Sequence, residues 1–184
     1  MDSQGKAGVT ASGATGNRGM IKGGPAKVGR CGGRLENTSL VCAARILVIE
    51  DNASDVFLLD RALQKQDFRF ELVHLTNGGD ALAFIRGQGA YANAAAPDLI
   101  LLDLNLSKYT GEDILAEIRG APHLAGIPVC VWSSSRSQRD EAMLKDLGVS
   151  QFITKPSGLH QFMEIGKVIK ELLTTAKAGG GRAG

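Results

Sequence analysis

Long apolar runs are missing from this chain. Nowhere does it hold the roughly 18 consecutive apolar residues of a membrane span. Cysteine is scarce: Cys31, Cys42 and Cys130 are odd in number and match no metal-ligand or redox spacing. Cys130 lies within an apolar run and is expected in the core, and reduced thiols suit a cytoplasmic setting. The opening MDSQGKAGVT has no hydrophobic signal core. Cys42 follows Val41, where a lipoprotein site needs a small residue, so neither leader nor lipid anchor is expected. Aromatic residues make up only 5% of the chain, and none accompanies the basic residues before Val41. A nucleic-acid-binding arm is therefore not expected there. The phosphate-cradling patterns GxGxxG and GxxxxGK are also missing from any strand–helix junction, which argues against a nucleotide binder.

What is present describes one ordinary domain with tails. The 184 residues are 43% hydrophobic and 22% charged, values typical of a globular protein. The net charge of +2 is unevenly spread. Met1 to Val41 carries six basic residues against Asp2 and Glu36, so the remainder is acidic. Ten glycines and few large apolar side chains before Ser39 cannot offset ordering entropy. Residues 1–42 are expected to be a disordered, Gly-rich basic tail or an upstream-start extension, with Met20 an internal alternative start. The segment 43–175 is the folded domain, and 176–184, ending AKAGGGRAG, is a short flexible tail.

Between the tails, strand and helix patterns alternate. Strands are expected at RILVIE (45–50), ELVHLT (71–76), DLILLDL (98–104), PVCVWS (128–133) and QFIT (151–154). Helices are expected over 55–65, 80–86, 112–119, 138–147 and 159–175, the fourth closed by Gly148. Such alternation gives an α/β fold, a doubly wound five-stranded parallel sheet with helices on both faces. Function in such sheets gathers outside the carboxyl ends of the strands.

Four of the five ends carry polar groups. The first ends in Glu50-Asp51, the third in Asp103 followed by Asn105, the fourth in Ser133-Ser134 and the fifth in Lys155-Pro156. Any one is ordinary, because a chain leaving a core must meet water. Together they are not, since three carboxylates beside one lysine repel unless a cation joins them. An all-oxygen set of this kind suits Mg²⁺. Asp103 is then a candidate nucleophile toward a phosphoryl group. Lys155 and the Ser133 hydroxyl are placed to meet the phosphoryl oxygens. No strong base stands nearby to activate water, so a long-lived acyl phosphate is expected over rapid hydrolysis.

These motifs, ILVIEDN, LILLDLNL, the Ser133 that ends PVCVWS, and FITKP, resemble the receiver domain of two-component response regulators. The resemblance covers about Arg45 to Leu173. It implies the flavodoxin-like strand order 2-1-3-4-5. It implies Asp103 as phosphoacceptor, and Mg²⁺ held by Glu50, Asp51, Asp103 and the main-chain carbonyl of Asn105. It implies Ser133 as switch hydroxyl and Phe152 as switch aromatic, altering the surface of the fourth helix, fifth strand and fifth helix. Gly111 stands where the family usually carries Gly. The segments FIRGQGAYANAAAPDLILLDLNL and NLSKYTGEDILAEIRGAPHLAGIPV are similar to single-domain regulators associated with phytochromes. The partners implied are a sensor histidine kinase, phytochrome-like, and a downstream protein or phosphotransfer protein. A homodimer is a further expectation of the family.

Three positions depart from the usual pattern. Ser107 replaces a loop proline, which is expected to loosen the loop that carries Asn105. Ser133 replaces the commoner Thr, and Phe152 the commoner Tyr. Only nine residues follow Thr175, so a DNA-binding output domain is not expected. A competing reading is a Mg²⁺-dependent phosphohydrolase of the haloacid dehalogenase type. That class carries DxD on its first strand, where this chain has Glu50-Asp51-Asn52.

Overall fold

The computed structural model describes residues 21–22, 43–134 and 145–179. Continuous apolar runs form the strands: β2 (Ala44–Ile49), β3 (Phe70–Leu75), β4 (Leu99–Leu102), β5 (Val129–Ser133) and β6 (Gln151–Thr154). A two-residue strand, β1 (Ile21–Lys22), precedes them. All pairings are parallel, in the order β1-β3-β2-β4-β5-β6. Counted from β2, this is the expected order 2-1-3-4-5.

The short β1 falls within the segment expected to be a tail. It pairs Ile21 with Val73 and Lys22 with His74 along the free edge of β3. An open edge offers unpaired N–H and C=O groups to any extended segment within reach. The rest of 1–42 lies outside the described residues.

The helices are α1 (Ala53–Gln64), α2 (Gly78–Ile85), α3 (Gly111–Gly120) and α4 (Leu159–Gly179). Side chains alternate across the central strands, which builds two cores. Ile46, Val48, Leu99, Leu101, Cys130 and Trp132 face α1 and α4. Leu47, Ile49, Ile100, Leu102, Val129 and Val131 face α2 and α3. All four residues of β4 are buried, as the unbroken aliphatic run requires for a strand covered on both faces.

Side-chain caps fix where the helices begin. Asn52 accepts from Ser54 N (3.0 Å), Asn77 from Asp80 N (2.9 Å) and Thr110 from Asp113 N (3.2 Å). The Asn77 cap places Gly78 and Gly79 inside α2 rather than before it. At its far end α4 runs past Thr175, where the Thr174 and Thr175 hydroxyls donate back to Lys170 O and Glu171 O. Most of the helix expected over 138–147 lies outside the described residues. Gly148 follows it with φ of 71°, the left-handed turn that favours glycine at a helix end.

Three glycines are fixed by close approach. A Cβ on Gly166 would lie 2.5 Å from the Ala62 carbonyl oxygen, so α4 packs directly on the α1 backbone. One on Gly111 would lie 2.5 Å from Leu104 Cα, which explains the glycine after the Asp103 loop. One on Gly78 would lie 2.5 Å from Tyr109 Cδ2, so that loop leans on the start of α2.

Candidate functional site

Parallel strands end on one edge, and the sequence-predicted residues gather there. Glu50 and Asp51 follow β2, Asp103 follows β4, Ser133 ends β5 and Lys155 follows β6. The edge is stitched by main-chain bonds that extend the sheet: Glu50 N to Leu75 O, Asp103 N to Ile49 O, and Lys155 N to Ser133 O.

At the centre lies the Lys155 ammonium. Its Nζ is 2.5 Å from Glu50 Oε2, 2.6 Å from Asp103 Oδ2 and 3.0 Å from Asp55 Oδ2. Glu50 and Asp103 are buried, at 2% and 4% exposure. Burial pushes the Glu50 carboxyl up to about 7; hydrogen bonding to Lys155 opposes this and the charge of Asp103 adds to it. Burial alone would lower Lys155, but the hydrogen bonds it donates to Asp103, Glu50 and Asp55 hold its ammonium above the ordinary lysine value.

Glu50, Asp51 and Asp103 each bring a carboxylate oxygen within 4.8 Å of the other two. Three anionic oxygen donors, one of them exposed to solvent, fit a hard divalent cation that keeps part of its water. Asn105 is exposed; its amide donates to Asp103 Oδ1 (3.0 Å) and its side-chain Nδ2 to Ser133 Oγ (3.3 Å). Ser133 is fully buried. Phe152 is half-buried against the core on the α2 and α3 side, beside Val131 in register.

Three contacts were not anticipated from the sequence. Asp55, in the first turn of α1, joins the Lys155 cluster. His74 Nε2 donates to the main-chain oxygen of Glu50 at 2.7 Å, fixing the peptide that carries the acidic pair. Ser107 donates to Asp51 Oδ2 twice, from its amide at 3.1 Å and from its hydroxyl at 2.9 Å. The loosening expected from the lost proline is thus met by two bonds that a proline cannot make.

The family model for the response regulator receiver domain matches residues 46–167. The chain belongs to the response regulator receiver family. It is 38% identical over 120 residues to response regulator Rcp1 of Synechocystis sp., covering 65% of this chain and 82% of that protein. Among solved structures, it is similar to the phosphorylated cyanobacterial phytochrome response regulator RcpA. The identity there is 42% with a TM-score of 0.68, covering 72% of this chain and 95% of that one. The Mn²⁺-bound form of Rcp1 superposes with a TM-score of 0.65 at 37% identity, covering 70% and 92% respectively. In this receiver, no helix among the described residues is long and apolar enough to cross a membrane.

Proposed function

We propose that this receiver accepts a phosphoryl group from a histidine kinase on Asp103, and that it signals by a change of surface. The observation that carries the reading is the buried Asp103 carboxylate, 2.6 Å from Lys155 Nζ and grouped with Glu50 and Asp51 at one sheet edge. In the transfer, an Asp103 oxygen forms a bond to phosphorus as the P–N bond of a phosphohistidine breaks. The bonding pair stays with the ring nitrogen that held phosphorus, and a proton already on the other ring nitrogen lets the imidazole depart neutral. Asp103 is the attacking group, Lys155 pairs with a phosphoryl oxygen and the Ser133 hydroxyl donates to another.

Glu50, Asp51, Asp103 and the carbonyl of Asn105 would hold Mg²⁺. Bound there, the ion supplies positive charge against the phosphoryl oxygens. Once the phosphoryl group is in place, Ser133 moves inward and Phe152 follows, changing the surface around β6 and α4. The kinship with phytochrome response regulators supports a phytochrome-like kinase as donor and a cytoplasmic location. Output passes to a downstream protein or phosphotransfer protein, or through a homodimer. The phosphate is lost slowly, since among the described residues no side chain at the site is a strong base for water.

Acetyl phosphate with Mg²⁺ tests the reading. Intact mass should rise by one phosphate per chain in wild type and not in Asp103→Ala. Labelling that persists in Asp103→Ala would remove Asp103 as acceptor. Rapid multiple turnover of a model phosphate ester would point instead to a phosphohydrolase.

A further inference from the structure

We propose that Ser107 is a positioning residue that orients the Asp51 carboxylate toward a divalent cation. The inference rests on the cation site proposed above. Ser107 brings two donors to one oxygen: its amide lies 3.1 Å and its hydroxyl 2.9 Å from Asp51 Oδ2. Asp51 is exposed, at the bend that follows β2. A carboxylate in that position samples several rotamers, and that freedom is lost when it takes up an ion. Two donors on Oδ2 remove much of the freedom in advance.

The opposing effect is competition for lone pairs, since an oxygen holding two hydrogen bonds has little left for a cation. A carboxylate has about four lone-pair sites on two oxygens, and Ser107 fills only the Oδ2 pair. Among the described residues no donor bonds Oδ1, which keeps its lone pairs for an ion. Orientation therefore outweighs competition, and the net effect is tighter binding.

The same pair of bonds joins the loop after β2 to the loop after β4, which carries Asn105. The residue beyond, Lys108, adopts φ of 73°. Left-handed backbone is unfavourable for a lysine and persists only where surrounding contacts determine it. The tie from Ser107 to Asp51 is one such contact immediately before the strained residue. A proline at 107 has neither amide hydrogen nor hydroxyl. Its rigid backbone and the donor pair are alternative ways to hold this loop, and only the second reaches a proposed metal ligand.

Calorimetric titration of the full chain with Mn²⁺ tests the assignment, alongside Ser107→Thr, Ser107→Ala and Ser107→Pro. Threonine keeps both donors and should bind as wild type does. Alanine keeps only the amide and should bind about 3-fold more weakly, proline about 10-fold. These steps are what one and two hydrogen bonds to an exposed charge are worth. Circular dichroism checks that each variant is folded, and Ser107→Ala decides the case if Ser107→Pro is not. Equal affinity in wild type and Ser107→Ala overturns the inference while leaving the cation site standing. Unchanged affinity in Asp51→Asn and Asp103→Asn, or no Mn²⁺ binding by wild type, overturns the site and the inference with it. A metal-free arm isolates the contact: the Ser107 amide should exchange slowly with solvent in wild type and faster in Asp51→Ala. Equal exchange in the two would show that the bond does not hold in solution.

Discussion

Asp55 closes a third side of Lys155: its Oδ2 lies 3.0 Å from the ammonium, in the first turn of a helix that carries no other part of the site. The lysine is thereby shared among three carboxylates, two of them buried. Removing it leaves Glu50 and Asp103 without a cation among the described residues. Lys155→Ala should lower unfolding free energy by about 3 kcal/mol, the scale for stripping a buried charge of its partner. Asp55→Ala leaves Lys155 with two partners, and the Asp55 side chain is 21% exposed. Its cost should be about 0.5 kcal/mol. Urea unfolding with a chelator present measures both, and equal losses would mean that the buried pairs are not the source.

The close approach of Gly166 to Ala62 gives a prediction against the usual rule. In an exposed helix, Gly→Ala stabilises by about 1 kcal/mol. At Gly166 the new methyl must push α4 off the α1 backbone, at about 1–3 kcal/mol of overpacking. Gly166→Ala should therefore destabilise. Gly120→Ala, where a Cβ meets nothing within 4 Å, serves as the control and should not. Thermal melts of the two variants distinguish contact from propensity.

Cys130 is fully buried, and burial pushes its thiol up to about 12 from an ordinary value of 9.0. The folded chain therefore keeps this proton where the unfolded chain loses it. Above pH 9 the unfolded state binds fewer protons, so stability falls as pH rises. The slope is about 1.4 kcal/mol per pH unit, and it ends near pH 12. Unfolding curves of wild type minus Cys130→Ala should show a slope that grows through pH 9, is near its full value by pH 10, and has faded below about pH 8. A thiol reagent at pH 8 should leave Cys130 unmodified until the chain unfolds.

Trp132, the chain's single tryptophan, is placed to report on the site. Its ring meets Phe162 edge-on with centroids 5.5 Å apart, and it directly precedes Ser133. Its Nε1 is buried with no hydrogen-bond partner among the described residues, so a small shift of β5 changes its surroundings. Emission should change when beryllofluoride and Mg²⁺ are added to wild type, and not with Asp103→Ala. A flat signal with binding shown by another method would mean that β5 does not move with the site.

Much of this was legible in the sequence because strand periodicity and parallel topology act together. Once LILL and VCVW read as doubly covered strands, Asp103 and Ser133 had to emerge on one edge with Glu50, Asp51 and Lys155. Helix starts were less exact, as at Gly78 and Gly79, where the Asn77 cap outweighs the poor helix propensity of glycine. Asp55, His74 and Ser107 were illegible for a different reason. Asp55 and Ser107 depend on the path of a helix start or a loop across the sheet edge, and His74, within β3, on how that strand lies beside the end of β2; no local pattern encodes either. Ser107 shows the difference clearly. From sequence it is a missing proline; only the fold shows which carboxylate its donors reach.

The Tyr109 ring lies where a side chain on Gly78 would have to go. The two positions therefore share a single volume, though one starts α2 and the other ends the loop carrying Asn105. Because a Cβ at 78 would also lie 2.6 Å from the Tyr109 Cβ, a descendant of this sequence that enlarged residue 78 would have to reduce residue 109 to glycine in the same step or move the loop. Substitution histories of the two sites should accordingly be linked, and a graft of this loop into another receiver should succeed only where the host offers glycine at the start of the second helix.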